Sequence, residues 1–217
     1  MKKQLALFAL LALTAGAHAQ TYDAAVDFSI ASNPNGVWTY GFSTTLGGAL
    51  TLFDQTAGGA TPVWRHSVVQ NLGTPAIYRN DTGGVINGLP VGGLALHPGA
   101  AELAVLRFTA PSAASYSINT QFLDGDFGQT GATILHNGVT LFSNPATSGN
   151  PAFNTTVALL AGDTVDIVVD HAGDGFFNDT TGVAAVIQNA SSAPEPGTVA
   201  LLFVGGLVGT LVRRRLG

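Results

Sequence analysis

The chain has 217 residues and no cysteine, which excludes disulfides, thiolate catalysis and thiolate metal centres and leaves room for one domain with a real core or two small ones. Its formal charge is −5, and without residues 1–19 and 194–217 three arginines face twelve aspartates and glutamates, a formal −9. Such a surface repels phosphate and excludes nucleic acid as a partner.

The first predicted element is an address. Lys2 and Lys3 form a positive n-region, 5–14 is apolar, and Ala17-His18-Ala19 sets small residues on either side of a spacer. This is the pattern of a secretory signal peptide over 1–19, cut by signal peptidase after Ala19. An apolar run of about ten residues is too short for a membrane span, which needs about 20.

From residue 20 onward the signals are those of strands. Alternation or β-branched enrichment marks 22–30, 37–44, 49–53, 63–69, 104–109, 115–122, 133–136, 139–142, 153–160, 164–169 and 183–188, with prolines between the runs where a missing N–H does no harm. Eleven short strands without a helical period predict an all-β domain over 20–190. The architecture that fits is an antiparallel two-sheet β-sandwich of jelly-roll type, with an up-and-down barrel as the alternative. Asn137-Gly138 predicts a type I′ hairpin between the runs at 133–136 and 139–142. Ala161-Gly162-Asp163 predicts a second hairpin, and 70–99, dense in Gly and Pro, reads as a long excursion over one face.

Three constellations could carry chemistry. In the run 37–42, Trp38, Tyr40 and Phe42 share one face of a strand, and Trp64 sits beside Arg65 and His66. Rings on an open face stack on sugars, and rings on an inner face are core. Asp124 and Asp126 flank a glycine, while Asp170, Asp174, Asn178 and Asp179 surround two more. Carboxylates on freely bending loops are what calcium takes, with six to eight oxygens, and acids beside glycine are also plain turn chemistry. No cofactor other than calcium is expected, and no histidine has a partner at zinc-ligand spacing. Nucleophile-elbow, zinc-protease and phosphate-loop patterns are missing, which counts against an enzyme. A glycosidase or lyase using acids such as Asp124, Asp126 or Glu102 is the competing reading.

The last predicted element spans 191–217. A short linker leads to Pro194-Glu195-Pro196, then sixteen uncharged residues at 197–212, then Arg213, Arg214 and Arg215. As a helix the apolar run reaches about 24 Å, short of the roughly 30 Å hydrocarbon core, and the arginines hold its end in the cytoplasm. This order resembles the PEP-CTERM sorting signal. The resemblance implies export in a Gram-negative, exopolysaccharide-making cell, transient anchoring in the inner membrane and processing by an exosortase. In it Pro194, Glu195 and Pro196 are the recognition element.

NPNGVWTYG, LALHPG, AVLRFTAPSAASYSINTQF and GDTVDIVVDHAGDGFFNDTTGVAAVI together resemble, in rhythm, the jelly-roll carbohydrate-binding modules of bacterial envelope proteins. That likeness implies a carbohydrate-binding module and carries over no ligand residue; the binding reading of the rings makes this a non-catalytic envelope or matrix protein that touches exopolysaccharide through Trp38, Tyr40 or Trp64. The mature protein is then expected in the envelope or outside the cell.

Overall fold

Period-2 alternation becomes strands throughout the computed structural model, which describes residues 19–190. The apolar part of the signal peptide, the Pro-Glu-Pro tripeptide, the apolar tail and the arginine cluster lie outside the described residues. Fourteen strands follow in order among those described: β1 (Thr21–Asp23), β2 (Trp38–Ser43), β3 (Thr51–Leu52), β4 (Gln55–Ala57), β5 (Val63–Arg65), β6 (Ala76–Arg79), β7 (Leu94–His97), β8 (Leu103–Thr109), β9 (Ala114–Asp124), β10 (Gly131–His136), β11 (Val139–Asn144), β12 (Ala152–Leu159), β13 (Thr164–Asp170) and β14 (Thr181–Asn189). No helix among them is long and apolar enough to cross a membrane.

The strands form two antiparallel sheets. One has eight strands, ordered β12-β9-β14-β7-β6-β5-β4, with β1 also paired to β14; the other has six, ordered β11-β10-β13-β8-β2-β3. β9 borders β14 along its whole length, whereas β7 takes the first half of its other edge and β1 the second. The expected all-β two-sheet sandwich is therefore the fold, and the barrel alternative is not.

Aromatic side chains fill the space between the sheets. Trp38 packs edge-on against Phe108 at 5.5 Å, Phe108 against Tyr116 at 5.8 Å, and Tyr22 against Phe108 at 5.2 Å. Each such buried ring contributes about 2–3 kcal/mol by removal from water. The two indole N–H groups are met where the chain folds back: that of Trp38 donates to Asp27 at 3.1 Å and that of Trp64 to the Ser29 carbonyl at 2.7 Å. Asn33 ties this corner, donating to the Tyr40 and Phe53 carbonyls at 2.7 and 2.8 Å and accepting from the Tyr40 N–H at 3.0 Å. Outside the core, Arg107 and Asp166 face each other across the β8–β13 ladder and form a two-pronged ion pair at 2.6 and 2.8 Å.

The Asn137-Gly138 hairpin forms as expected, with φ of 48° and 80° at the two central residues. Two expectations are corrected. Gly162 takes a left-handed φ of 90°, but the strands it joins do not pair: β12 lies beside β9 in one sheet and β13 beside β8 and β10 in the other. The 161–163 turn is a crossover between sheets, since strands separated by a tight turn can change layer as readily as pair. The stretch 70–99 is not a surface excursion either. It contributes β6 and β7, which stand inside the eight-stranded sheet between β5 and β14.

Candidate functional site

Alternation decides which side chains the eight-stranded sheet turns inward. Across β5, β6 and β7 one register row is Trp64, Ile77 and Leu96, all buried in the core. The flanking rows, Arg65-Ala76-His97 and Val63-Tyr78-Ala95, point to the other face. There Val63, Arg65, Ala76, Tyr78 and His97 floor an open trough of about 360 Å³, walled by Leu72, Gly73 and Thr74, by Ile86 and Asn87, and by Asp126, Asn178 and Thr180.

The trough is lined by groups with hydrogen-bonding capacity to spare. The Arg65 Nε–H is buried without a partner, and among the described residues no carboxylate pairs with this guanidinium. Tyr78 shares a 3.1 Å hydrogen bond with the Thr180 hydroxyl, and burial pushes its phenol above the usual range. His97 is held below the usual imidazole range, chiefly by burial. Its Nδ1 lies 2.8 Å from the Pro98 carbonyl, so the neutral ring donates there and keeps Nε2 as an acceptor. One carboxylate lines the trough, Asp126, whose Oδ1 accepts from the Thr180 N–H at 2.8 Å.

Asp126 is also shared with a second hollow of about 230 Å³, bounded by Asp124, Phe127, Gln129, Thr147 and Ser148. Phe127 is 99% exposed and Phe177 64% exposed, the latter stacked on Phe176 at 4.6 Å. Nearby in the chain the loops at 86–88, 124–128 and 178–180 meet backbone to backbone. A Cβ at Gly125 would collide with the Thr180 carbonyl, and one at Gly88 with that of Gly125; only glycine allows so close an approach.

The rings expected to meet sugar do not reach this face. Trp38 and Tyr40 are fully buried and Trp64 nearly so, and Tyr40 stacks on Trp64 at 6.2 Å between the two sheets. The stacking expectation for Trp38, Tyr40 and Trp64 is therefore corrected: they do share inward faces, but the opposite sheet covers them. Burial pushes the Tyr40 phenol up to about 12. The residues that sequence reasoning missed are Arg65, Tyr78, His97 and Phe127. The alternation of AIYR and LALH carried a signal for the middle two, and the surrounding Gly and Pro hid it.

The four aspartates named as calcium ligands divide. Asp124 closes β9 at the second hollow. Asp126, Asp170 and Asp174 act instead through their charges on Asp179, which is 1% exposed and has both carboxylate oxygens without a hydrogen-bond partner. Burial first, then the charges of Asp174, Asp126 and Asp170, push the Asp179 carboxyl up to about 7. Among the described residues no three Asp, Glu or His side chains already converge on one point at metal-binding range.

No protein-family model matches this chain, and no curated protein matches it. Among solved structures it is similar to CBM51 from Clostridium perfringens GH95, solved with methyl-galactose, at 15% identity over 45% of this chain and 69% of that one, with a TM-score of 0.35. It is similar also to a family 35 carbohydrate binding module from Clostridium thermocellum, at 16% identity over 61% of this chain and 90% of that one, TM-score 0.29. A β-glucosidase from Kluyveromyces marxianus, solved with glucose, aligns at 12% identity over 51% of this chain with a TM-score of 0.27, and there the chain spans only 12% of the enzyme's length. At these scores the similarities transfer no ligand and no site residue; the sandwich itself is evident from the strand pairing.

Proposed function

We propose that this is an exported, non-catalytic β-sandwich protein that binds glycan in the trough over β5, β6 and β7. The observation that carries this reading is the trough's lining. A guanidinium with an unpartnered N–H, a phenol, an imidazole acceptor, two amides and three threonines converge on a concave surface of ligand size. Such a set suits dense hydroxyl groups, and Arg65 favours a sugar that also carries a carboxylate. Phe127, exposed at the adjoining hollow, offers a ring for stacking. A single carboxylate in the trough supports binding over hydrolysis, which ordinarily needs two.

The ends of the chain support the route. The n-region, apolar stretch and Ala17-His18-Ala19 fit signal peptidase, and Pro194-Glu195-Pro196 with its short apolar run and Arg213, Arg214 and Arg215 fits an exosortase substrate. On this reading the protein ends in a polysaccharide-rich envelope or outside the cell, after passing through the inner membrane.

Retention on the host's own exopolysaccharide tests the function. The chain should be held without releasing oligosaccharide, and Arg65→Ala should weaken retention by roughly tenfold, the loss of one charge-assisted hydrogen bond. Release of oligosaccharide that stops in Asp124→Asn or Asp126→Asn would replace this reading with the enzymatic one. No retention and no release would leave a structural matrix protein.

A further inference from the structure

We propose that the free edge of β12 pairs with β12 of a second copy of this chain, antiparallel across a twofold axis normal to the sheet, to form a symmetric dimer. This pairing does not depend on the glycan reading.

β12 ends the eight-stranded sheet, and its ladder with β9 decides which way its backbone groups point. The Phe122 N–H donates to the Pro151 carbonyl, so the residues that follow at intervals of two, Phe153, Thr155, Val157 and Leu159, spend their N–H and C=O groups on β9. Ala152, Asn154, Thr156 and Ala158 turn theirs outward, where no strand among the described residues meets them. Such a row of unpaired donors and acceptors is a template for another strand.

The other ends of the two sheets are blunted. β4 has three residues and follows Asp54, β3 has two, and the β10–β11 ladder shifts register between Ile134 and Leu135. β12 runs for eight residues without a proline, a charged side chain or a break in its ladder. Edges that stay solvated carry such devices, and an edge that lacks all of them is suited to being covered.

The charge pattern selects a second copy as the cover. Residues 127–162 contain no Asp, Glu, Lys or Arg, although residues 20–193 carry a formal −9. Two copies of so acidic a chain repel over most of their surfaces. The neutral stretch holds β10, β11 and β12, and repulsion is least where it faces itself. A twofold normal to the sheet also sets like rows side by side. The half-buried Phe153 and Val157 of the two copies continue one inner row, joined by Phe142 of β11, whose ring lies 5.2 Å from that of Phe153. The exposed Asn154 and Thr156 continue the outer row. Because β9 and β14 stand between β12 and β7, the seam leaves the trough open in both copies.

Sedimentation velocity over a dilution series, on the chain purified as its host produces it, tests the seam. A reversible dimer is expected, and in it the amides of Ala152, Asn154, Thr156 and Ala158 should exchange with deuterium at least roughly tenfold more slowly than in the diluted monomer. Thr156→Pro removes one outward donor without touching the β9 ladder and should raise the dimer Kd by about tenfold or more. Asn154→Glu combined with Ala158→Glu sets like charges on both sides of the seam from exposed positions, and should give a monomer with the Tm of the diluted parent. A monomer at every concentration, outward amides that exchange as fast in the dimer as in the monomer, or a dimer that both variants leave intact would each overturn the proposal.

Discussion

Trp64 faces Tyr40 across the sandwich while Arg65, one residue on, faces the trough, because successive strand side chains leave on opposite sides. Burial and function have thus been divided between neighbours. Trp38 belongs with Trp64: it is fully buried, packs on Phe108 and spends its N–H on Asp27. Trp38→Ala should therefore cost about 3–5 kcal/mol in denaturant unfolding, the range for emptying a buried large aromatic site. At temperatures where the variant stays folded, its retention on glycan should match the parent. A variant of full stability that has lost retention would return Trp38 to the binding face. At this scale the sequence showed that Trp38, Tyr40 and Phe42 share a face, and nothing local could say which face the second sheet would cover.

Elements differ in how far they announce themselves. β8, β9, β13 and the β10–β11 hairpin are long or end in Asn-Gly, and their alternation or turn chemistry survives without any tertiary help. β6 and β7 have four residues each and stand among glycines and prolines, so their period is too short to stand out. Their identity comes from register, Ile77 against Trp64 and Leu96 and then Thr181 of β14 beside Leu96. A consequence separates a core element from a loop. Replacing 70–99 by a short Gly-Ser linker should abolish cooperative unfolding, because it removes two strands from the middle of the sheet and exposes Leu94 and Leu96 partners on both sides. An excision variant with a native-like melting transition, followed by circular dichroism, would show that these strands are dispensable.

For the whole molecule, the acidic interior of the sequence and its apolar ends describe a traveller. On the proposed reading the ends serve transit and the middle serves the destination, so the mature envelope form should lack Arg213, Arg214 and Arg215 and begin at Gln20. Intact-mass measurement of the protein from its host reads both ends at once, and a full-length C-terminus would remove exosortase processing from the account. What binds at the destination is a matter of assembly. The trough takes its lining from β5, β6 and β7 and from loops near residues 72, 87, 126 and 178.

The sequence by itself determined the class of fold and the Asn137-Gly138 hairpin, since each rests on local chemistry, alternation in one case and positive φ in the other, and it is the source of the proposal made for the two ends from runs of charge beside runs of apolar residues. Only the tertiary structure decided which face of β2 and β5 became core, that 70–99 supplies two inner strands of a sheet, and that Asp179 is buried. Those outcomes depend on which strands pair and which loops meet, and such long-range contacts leave no periodic trace in the residues that make them.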